Sequence, residues 1–259
     1  MVAAVCKELN VPHSTLAVQW KSKPVSAIQE RARHERYRLL GSWAERRGLK
    51  AVVAAHHLDD QVETLLMRLN RGAGARGLAG MRPIGPIPGG ETSAALIRPL
   101  LEWRRSELVD LCSSAGLTPI DDPSNRDEQF ERVRMRHGLA GAPWLHGHAI
   151  ARSARNLADA ESALDWATDI EWERQVSQSD ASIDYSPLAP WEIRRRIVQR
   201  AVATFANEGD SGPLRGRELD RLVTALSEGG KATIRGVLCA GGMTWTFSPA
   251  PGRSARPQQ

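Results

Sequence analysis

Residues Ala54–Met81 read AAHHLDDQVETLLMRLNRGAGARGLAGM, and this stretch decides the fold class. Just before it, Lys50–Ala55 (KAVVAA) is a short apolar run bounded by Gly48 and a polar cluster, the pattern of a central parallel strand. Leu58–Asn70 then places Val62, Leu65, Leu66 and Leu69 on one face of a helix. A glycine-arginine loop closes the unit. A strand running into a helix in this way belongs to an α/β layer architecture.

Working outward, Val2–Leu9 reads as a helix end, His13–Trp20 as a strand by its alternation, and residues 25–47 as a long helix. Arg82–Gly90 (RPIGPIPGG) reads as a loop. Leu96–Leu101 holds a short strand and Arg104–Ala115 a helix stopped by Gly116. The character changes near Gly141, so a domain boundary is expected at about 140–147. From His148 to Gln178 the pattern is one long alanine-rich helix, followed by helices over Pro190–Ala206 and Leu214–Ser227. A hairpin is expected at the end, with Lys231–Leu238 and Met243–Phe247 joined by a turn at Cys239–Gly242. Residues 249–259 read as a disordered tail. The expected domains are therefore 1–140, α/β, and 141–248, mainly helical.

Composition bounds the function. The chain has 259 residues, 41% hydrophobic and 25% charged, as a globular protein does. It has no apolar run of about 18 residues, so no membrane span is expected, and no signal-peptide pattern at Met1. Three cysteines far apart give neither a disulfide framework nor a zinc set and fit a cytoplasmic protein. The formal net charge is +5, carried mostly by arginine. Arginine's planar fork suits phosphate, so RNA is a candidate partner, as is mere codon preference.

Three clusters carry groups capable of chemistry. His56, His57, Asp60 and Glu63 sit where a strand ends and a helix begins, the place where open α/β sheets bind ligands and helix N-termini attract anions. The histidines suit phosphate binding or proton transfer, and the carboxylates suit orienting them or holding hydrated magnesium. Dipole compensation explains the same acids. Gly72, Gly74 and Gly77 spell G-x-G-x-x-G, but after a helix, which is not the dinucleotide context. The loop could offer amides to an anion beside Arg71 and Arg76, or simply end the helix. Asp121–Asp127 (DDPSNRD) fails as a calcium loop because its sixth position is Arg126 and its twelfth Arg132. Asp127 reads as a helix cap, and Arg132, Arg134 and Arg136 as phosphate contacts.

Together these residues resemble tRNA(Ile)-lysidine synthase, a PP-loop ATP pyrophosphatase. The resemblance rests on Ala32-Arg33-His-Glu-Arg36-Tyr37, His56-His57-x-x-Asp60-Gln61-x-Glu63-x-x-Leu66-x-Arg68, Arg71-Gly72-x-Gly74-x-x-Gly77-Leu78-x-Gly80-Met81, Arg98-Pro99-Leu100-Leu101 and Asp122-Pro-Ser124-Asn125-x-Asp127. It covers residues 1–140 best. It implies a ligase that uses ATP and Mg2+ to join free lysine to C2 of the wobble cytidine in an isoleucine tRNA with a CAU anticodon. It also allows a homodimer. It implies that His56, His57, Asp60 and Arg71 act in catalysis. Glu63, Gly72, Gly74, Gly77, Arg98, Asp122, Ser124 and Asn125 would line the nucleotide site. No resident protein-bound metal site is implied. The second domain would bind tRNA.

The sequence departs from the family at its defining S-G-G-x-D-S loop, since its only Gly-Gly pairs are Gly89-Gly90, Gly229-Gly230 and Gly241-Gly242. The expectation is a PP-loop domain lacking its first strands, weak in ATP binding and poorly folded alone. The alternative function is a non-catalytic tRNA-binding remnant. A tRNA thiolase is disfavoured by the absence of C-x-x-C, and a metal hydrolase would need a ligand set the spacing does not provide.

Overall fold

The computed structural model describes residues 2–20, 28–89, 92–118, 127–207 and 212–251. Two compact units, Met1–Ala158 and Asp159–Gln259, divide the chain within one long helix.

In the first unit, α1 (Val2–Glu8) precedes α2 (Ile28–Arg46), which buries Tyr37, Gly41 and Ala44 at helical spacing and stops before Gly48. β1 (Ala51–Val53) pairs in parallel with β3 (Ala95–Ile97), and β2 (Ile84–Pro86) pairs antiparallel with β3, giving the order β1-β3-β2. Tyr37, Ala44, Ile87, Ala94 and Leu96 form a small core between α2 and this sheet. α3 (Leu58–Asn70) follows β1, and α4 (Ala75–Leu78) is one turn of the loop after it. α5 (Arg105–Ser114), α6 (Glu131–Ala140) and the start of α7 (Gly147–Gln175) complete the unit. Leu58 and Val62 of α3 pack with Ala151 of α7, and Leu139 and Ile150 lie against them.

Three expectations for this unit change. KAVVAA gives β1, which is parallel to β3 as expected but is an edge strand and not a central one among the described residues. His13–Trp20 forms no strand, because alternation makes a strand only where a partner accepts its backbone groups. Arg82–Gly90 is not all loop: β2 lies within it, and Pro86 is accommodated because β2 is an edge strand.

In the second unit, β4 (Val176–Gln178) continues directly from α7, where a helix is expected, and pairs with β5 (Ile183–Tyr185). α8 (Trp191–Phe205) and α9 (Gly216–Ser227) follow, then β6 (Lys231–Ile234), β7 (Val237–Ala240) and β8 (Trp245–Pro249). The terminal hairpin is thus enlarged into a five-stranded antiparallel sheet, ordered β4-β5-β8-β7-β6. The expected hairpin is the β7–β8 pair, which turns after Ala240, and a further turn at Arg235-Gly236 splits its first arm into β6 and β7. Both residues have positive φ, 51° and 78°, the requirement of a tight two-residue hairpin turn. Cys239 instead lies buried in β7, where burial pushes its thiol pKa up to about 12. One continuous core joins α8 and α9 to the sheet, with Trp245 edge-on to Tyr185 at 5.8 Å. The Tyr185 hydroxyl donates to Glu171 at 2.9 Å.

Candidate functional site

His57 is the N-cap of α3. Its Nδ1 accepts from the Asp60 amide at 3.4 Å, and its own amide donates to the Asp60 carboxylate at 3.1 Å. This reciprocal box satisfies two amides that the helix start leaves open. Asp59 turns outward to Arg104 at 2.8 Å and accepts the Arg105 amide at 2.7 Å. The helix start is therefore fastened to the segment that follows β3.

One turn further, α3 carries charge into the interior. Asp60, Gln61 and Glu63 are all buried. The Glu63 side chain, 3% exposed, accepts from Arg136 at 2.5 Å and lies 3.3 Å from Arg132. Arg136 also reaches Asp60 at 3.7 Å. Burial raises the Glu63 pKa against the downward pull of Arg136 and Arg132, while the Glu63 contact holds the Arg136 guanidinium charged. Arg134 donates to the carbonyls of Glu128 and Gln129. The three arginines of α6 expected to meet phosphates are thus engaged within the protein. Asp127 forms an Asx-type turn to the Gln129 amide at 2.9 Å, and the residue that caps α6 is Phe130.

His56 is placed differently from His57. Its Nδ1 is buried and has no hydrogen-bond partner, and burial lowers its pKa, with Asp60 pulling the other way. Arg33 and Arg98 act on the same ring. Arg98 is buried, donates to the Arg82 carbonyl at 2.8 Å and leaves its Nε without a partner. Arg33 stacks over Tyr37 at 5.1 Å and its charge is felt by both Arg68 and Arg98. None of Arg33, Arg68 and Arg98 makes an ion pair with a described carboxylate. A buried arginine and an imidazole, each with an unsatisfied nitrogen and with the exposed Arg33 adding like charge, are costly together and are relieved by an anion.

The glycine loop is fastened to α3. Gln61 spans Met81, donating to its carbonyl at 3.0 Å and accepting from its amide at 2.7 Å. Arg68 donates to the Gly77 carbonyl at 2.7 Å and Gly80 at 3.4 Å. Gly80 has φ +68°, and a Cβ there would meet the Gln61 amide at 2.7 Å, so only glycine lets this clamp close. Gly72 and Gly74 are exposed, and Gly74 caps α4. Arg71 is exposed and ion-paired to Glu131 of α6, away from the His56 cluster's described partners. Asp122, Ser124 and Asn125 lie outside the described residues. Arg33, Arg68 and Gln61 belong to the motifs quoted above, yet their spacing gives no sign that they converge.

A cleft of about 610 Å3 opens beside α3, lined by Asp59, Glu63, Arg104, Arg105, Asp110 and Arg136 among others. It carries both signs of charge. Among the described residues no group of three His, Cys, Asp or Glu side chains converges as a metal site, and Asp60 and Glu63 are committed to arginine. No described helix is long and apolar enough to cross a membrane.

Comparison with known proteins decides the family. A PP-loop domain model matches residues 1–142. The chain is 45% identical over 255 residues to tRNA(Ile)-lysidine synthase of Novosphingobium aromaticivorans, covering 97% of this chain and 76% of that protein. The chain belongs to the tRNA(Ile)-lysidine synthase family. The family's protein in Zymomonas mobilis is 36% identical over 253 residues, with the same two coverages, 97% and 76%. That of Methylobacterium nodulans is also 36% identical and is covered to 78%. Family membership gives the first unit its reading as an ATP-binding PP-loop domain, and the motif order that carries the resemblance runs through α2, α3, the glycine loop and β3.

Proposed function

We propose that the chain serves ATP-dependent joining of lysine to the wobble cytidine of an isoleucine tRNA with a CAU anticodon. The observation that carries this reading is the pair of buried, unpartnered nitrogens His56 Nδ1 and Arg98 Nε, with the charges of Arg33 and Arg132 also bearing on the His56 ring. Those groups fit the phosphates of ATP. In the first half-reaction the C2 oxygen of cytidine bonds to the α-phosphorus and pyrophosphate leaves. The arginines balance the charge that develops there. In the second, a lysine amine bonds to C2, the C2–O bond breaks, AMP departs and the amine gives up a proton. Burial lowers the His56 pKa and so favours its neutral form, which suits accepting a proton or hydrogen-bonding phosphate. His57 and Asp60 position the start of α3 beneath it.

We place free lysine in the mixed-charge cleft. Asp59 and Arg104 are paired with each other, which leaves Asp110 to suit an ammonium group and the Arg105 guanidinium to suit its carboxylate. Arg71 and the glycines at 72, 74 and 77, with Asp122, Ser124 and Asn125, are retained as nucleotide-side residues on the strength of the motif. Magnesium would be carried by the ATP phosphates, since the described carboxylates near His56, Asp60 and Glu63, are taken by arginine.

The test is incorporation of labelled lysine into a CAU transcript and into the same transcript with its wobble cytidine changed to uridine. It is run with the chain alone and with a Ser-Gly-Gly-x-Asp-Ser strand and loop joined before Met1. Transfer to the cytidine transcript only, strongest in the joined protein, is the expected result. No transfer by either protein, or equal labelling of both transcripts, contradicts the reading.

A further inference from the structure

The second unit carries a strongly basic surface that the first unit's chemistry does not use. Between α9 and β6 lies an open groove of about 860 Å3, lined by Arg215, Arg217, Arg221, Arg235, Glu218 and Thr233 among others. The arginines of neighbouring α8 show what internal neutralisation looks like in this unit. Arg195 pairs with Glu192 and Asp220, Arg196 with Glu161, Asp165 and Glu192, and Arg200 with Asp169. The groove differs. Of the acids on α9, Asp220 is turned to Arg195 at 2.8 Å, and Glu218 is shared between Arg235 and the Arg215 amide. Arg215, Arg217 and Arg221 are exposed and make no ion pair with a described carboxylate.

The spacing adds direction. Arg217 and Arg221 stand one turn apart on the same side of α9, about 6 Å along its axis. The opposite side of α9 is locked into the core through Leu219, Leu222, Val223 and Leu226. The cations are therefore carried on a rigid support, with Arg235 held by Glu218 and the Pro213 carbonyl at the groove's other wall. An open, rigid groove lined by Arg215, Arg217 and Arg221, whose one lining acid, Glu218, is already engaged with Arg235 and the Arg215 amide, matches a repeating anionic strand better than a single enclosed anion.

We propose that this α9–β6 groove docks the sugar-phosphate backbone of the tRNA, with Arg217 and Arg221 each meeting a phosphate. The inference rests on the function proposed above, because that function supplies the RNA.

The test is fluorescence-anisotropy titration of the 259-residue chain with a CAU transcript, from about 50 to 300 mM KCl. Replacing Arg217 and Arg221 together by glutamine is expected to weaken binding roughly 30-fold near 0.1 M salt. It is also expected to make the log–log salt slope shallower by about 1.5 to 2, as loss of two phosphate contacts requires. The Arg217→Lys/Arg221→Lys pair, which keeps both charges, should keep the slope. Arg200→Gln, which touches an already paired arginine, should leave binding as it was. Should the glutamine pair fail to fold, Arg221→Gln alone carries the test with half the slope change. Binding and slope unchanged in a folded glutamine variant overturn the groove while leaving the proposed function standing. Loss of binding to anionic lipid vesicles without loss of tRNA binding overturns it in favour of a membrane. No tRNA binding by the unmutated chain overturns the proposed function and the groove together.

Discussion

Sixteen buried residues from Ile183 to Phe247 make one continuous core in the second unit, whereas the first unit's buried apolar residues fall into separate clusters of five and three. The polar interior is distributed the opposite way. Asp60, Gln61, Glu63 and Arg98 are buried in the first unit, against Glu161 and Thr168 in the second. The second unit is organised around area removed from water, and the first around charges that must be paired or supplied with a ligand. That is the arrangement expected where one part carries reactive groups and another carries stability. The sheets agree: β1 is a three-residue edge strand whose Val53 is 65% exposed, while β7 and β8 sit inside a five-stranded sheet.

The contrast breaks most visibly in the second core. Phe247→Ala removes a fully buried ring and should cost about 3–5 kcal/mol, read by urea denaturation. The loss should be confined to the unit that holds β8, with near-native hydrogen exchange in α3. Next comes Arg136→Ala, which strands Glu63 without its closest partner. It should cost the first unit about 2–4 kcal/mol, discounted because Arg136 is partly exposed. Arg136→Lys should recover only part, since one ammonium cannot serve Asp60 and Glu63 together. If Arg136→Ala melts like the parent protein, the buried acids are not held as described. Smaller again, Gln61→Ala removes both hydrogen bonds to Met81 and should cost about 1–3 kcal/mol, with faster exchange of the Met81 amide as the readout.

The smallest stability effect concerns pH. Burial lowers the His56 pKa below its ordinary 6.5, so the folded protein binds this proton less readily than the unfolded chain does. The contribution of His56 to stability is therefore complete above about pH 6.5 and is lost as pH falls through its folded value. Melting followed from pH 8 to 5 should show a decline in the first unit that His56→Gln flattens. A decline of the same size in that variant would assign the effect to other groups.

Much of the first unit was legible in its sequence because local signals agreed with one another. KAVVAA shows that a parallel strand lies there but not its place, since it reads as central and β1 lies at the edge of the described sheet, while α3 announces itself by its apolar face and acidic first turn. The glycines at 72, 74, 77 and 80 mark the loop. What could not be read depends on distance. Glu63 and Arg136 are 73 residues apart, so the arginines of α6 look free for phosphate until the fold brings α3 against them. Similarly, two histidines side by side look equivalent, and only the helix start shows that His57 is spent on capping while His56 keeps an unpartnered nitrogen. β4 and β5 escaped because three-residue strands carry too little periodicity, and Val176–Gln178 runs on from a helix without a breaker. β2 hides among prolines that an edge strand tolerates.

The central claim is that the first unit keeps charged and unsatisfied groups for chemistry and not for folding. Its most direct test is a paired measurement on His56→Gln, made in the protein carrying the joined Ser-Gly-Gly-x-Asp-Ser segment: the melting temperature at pH 7.5 and the rate of lysine transfer to the CAU transcript. The account predicts melting unchanged or raised and transfer reduced by about a hundredfold or more. Transfer retained at the parent rate, or lost only in proportion to a lowered melting temperature, would contradict it.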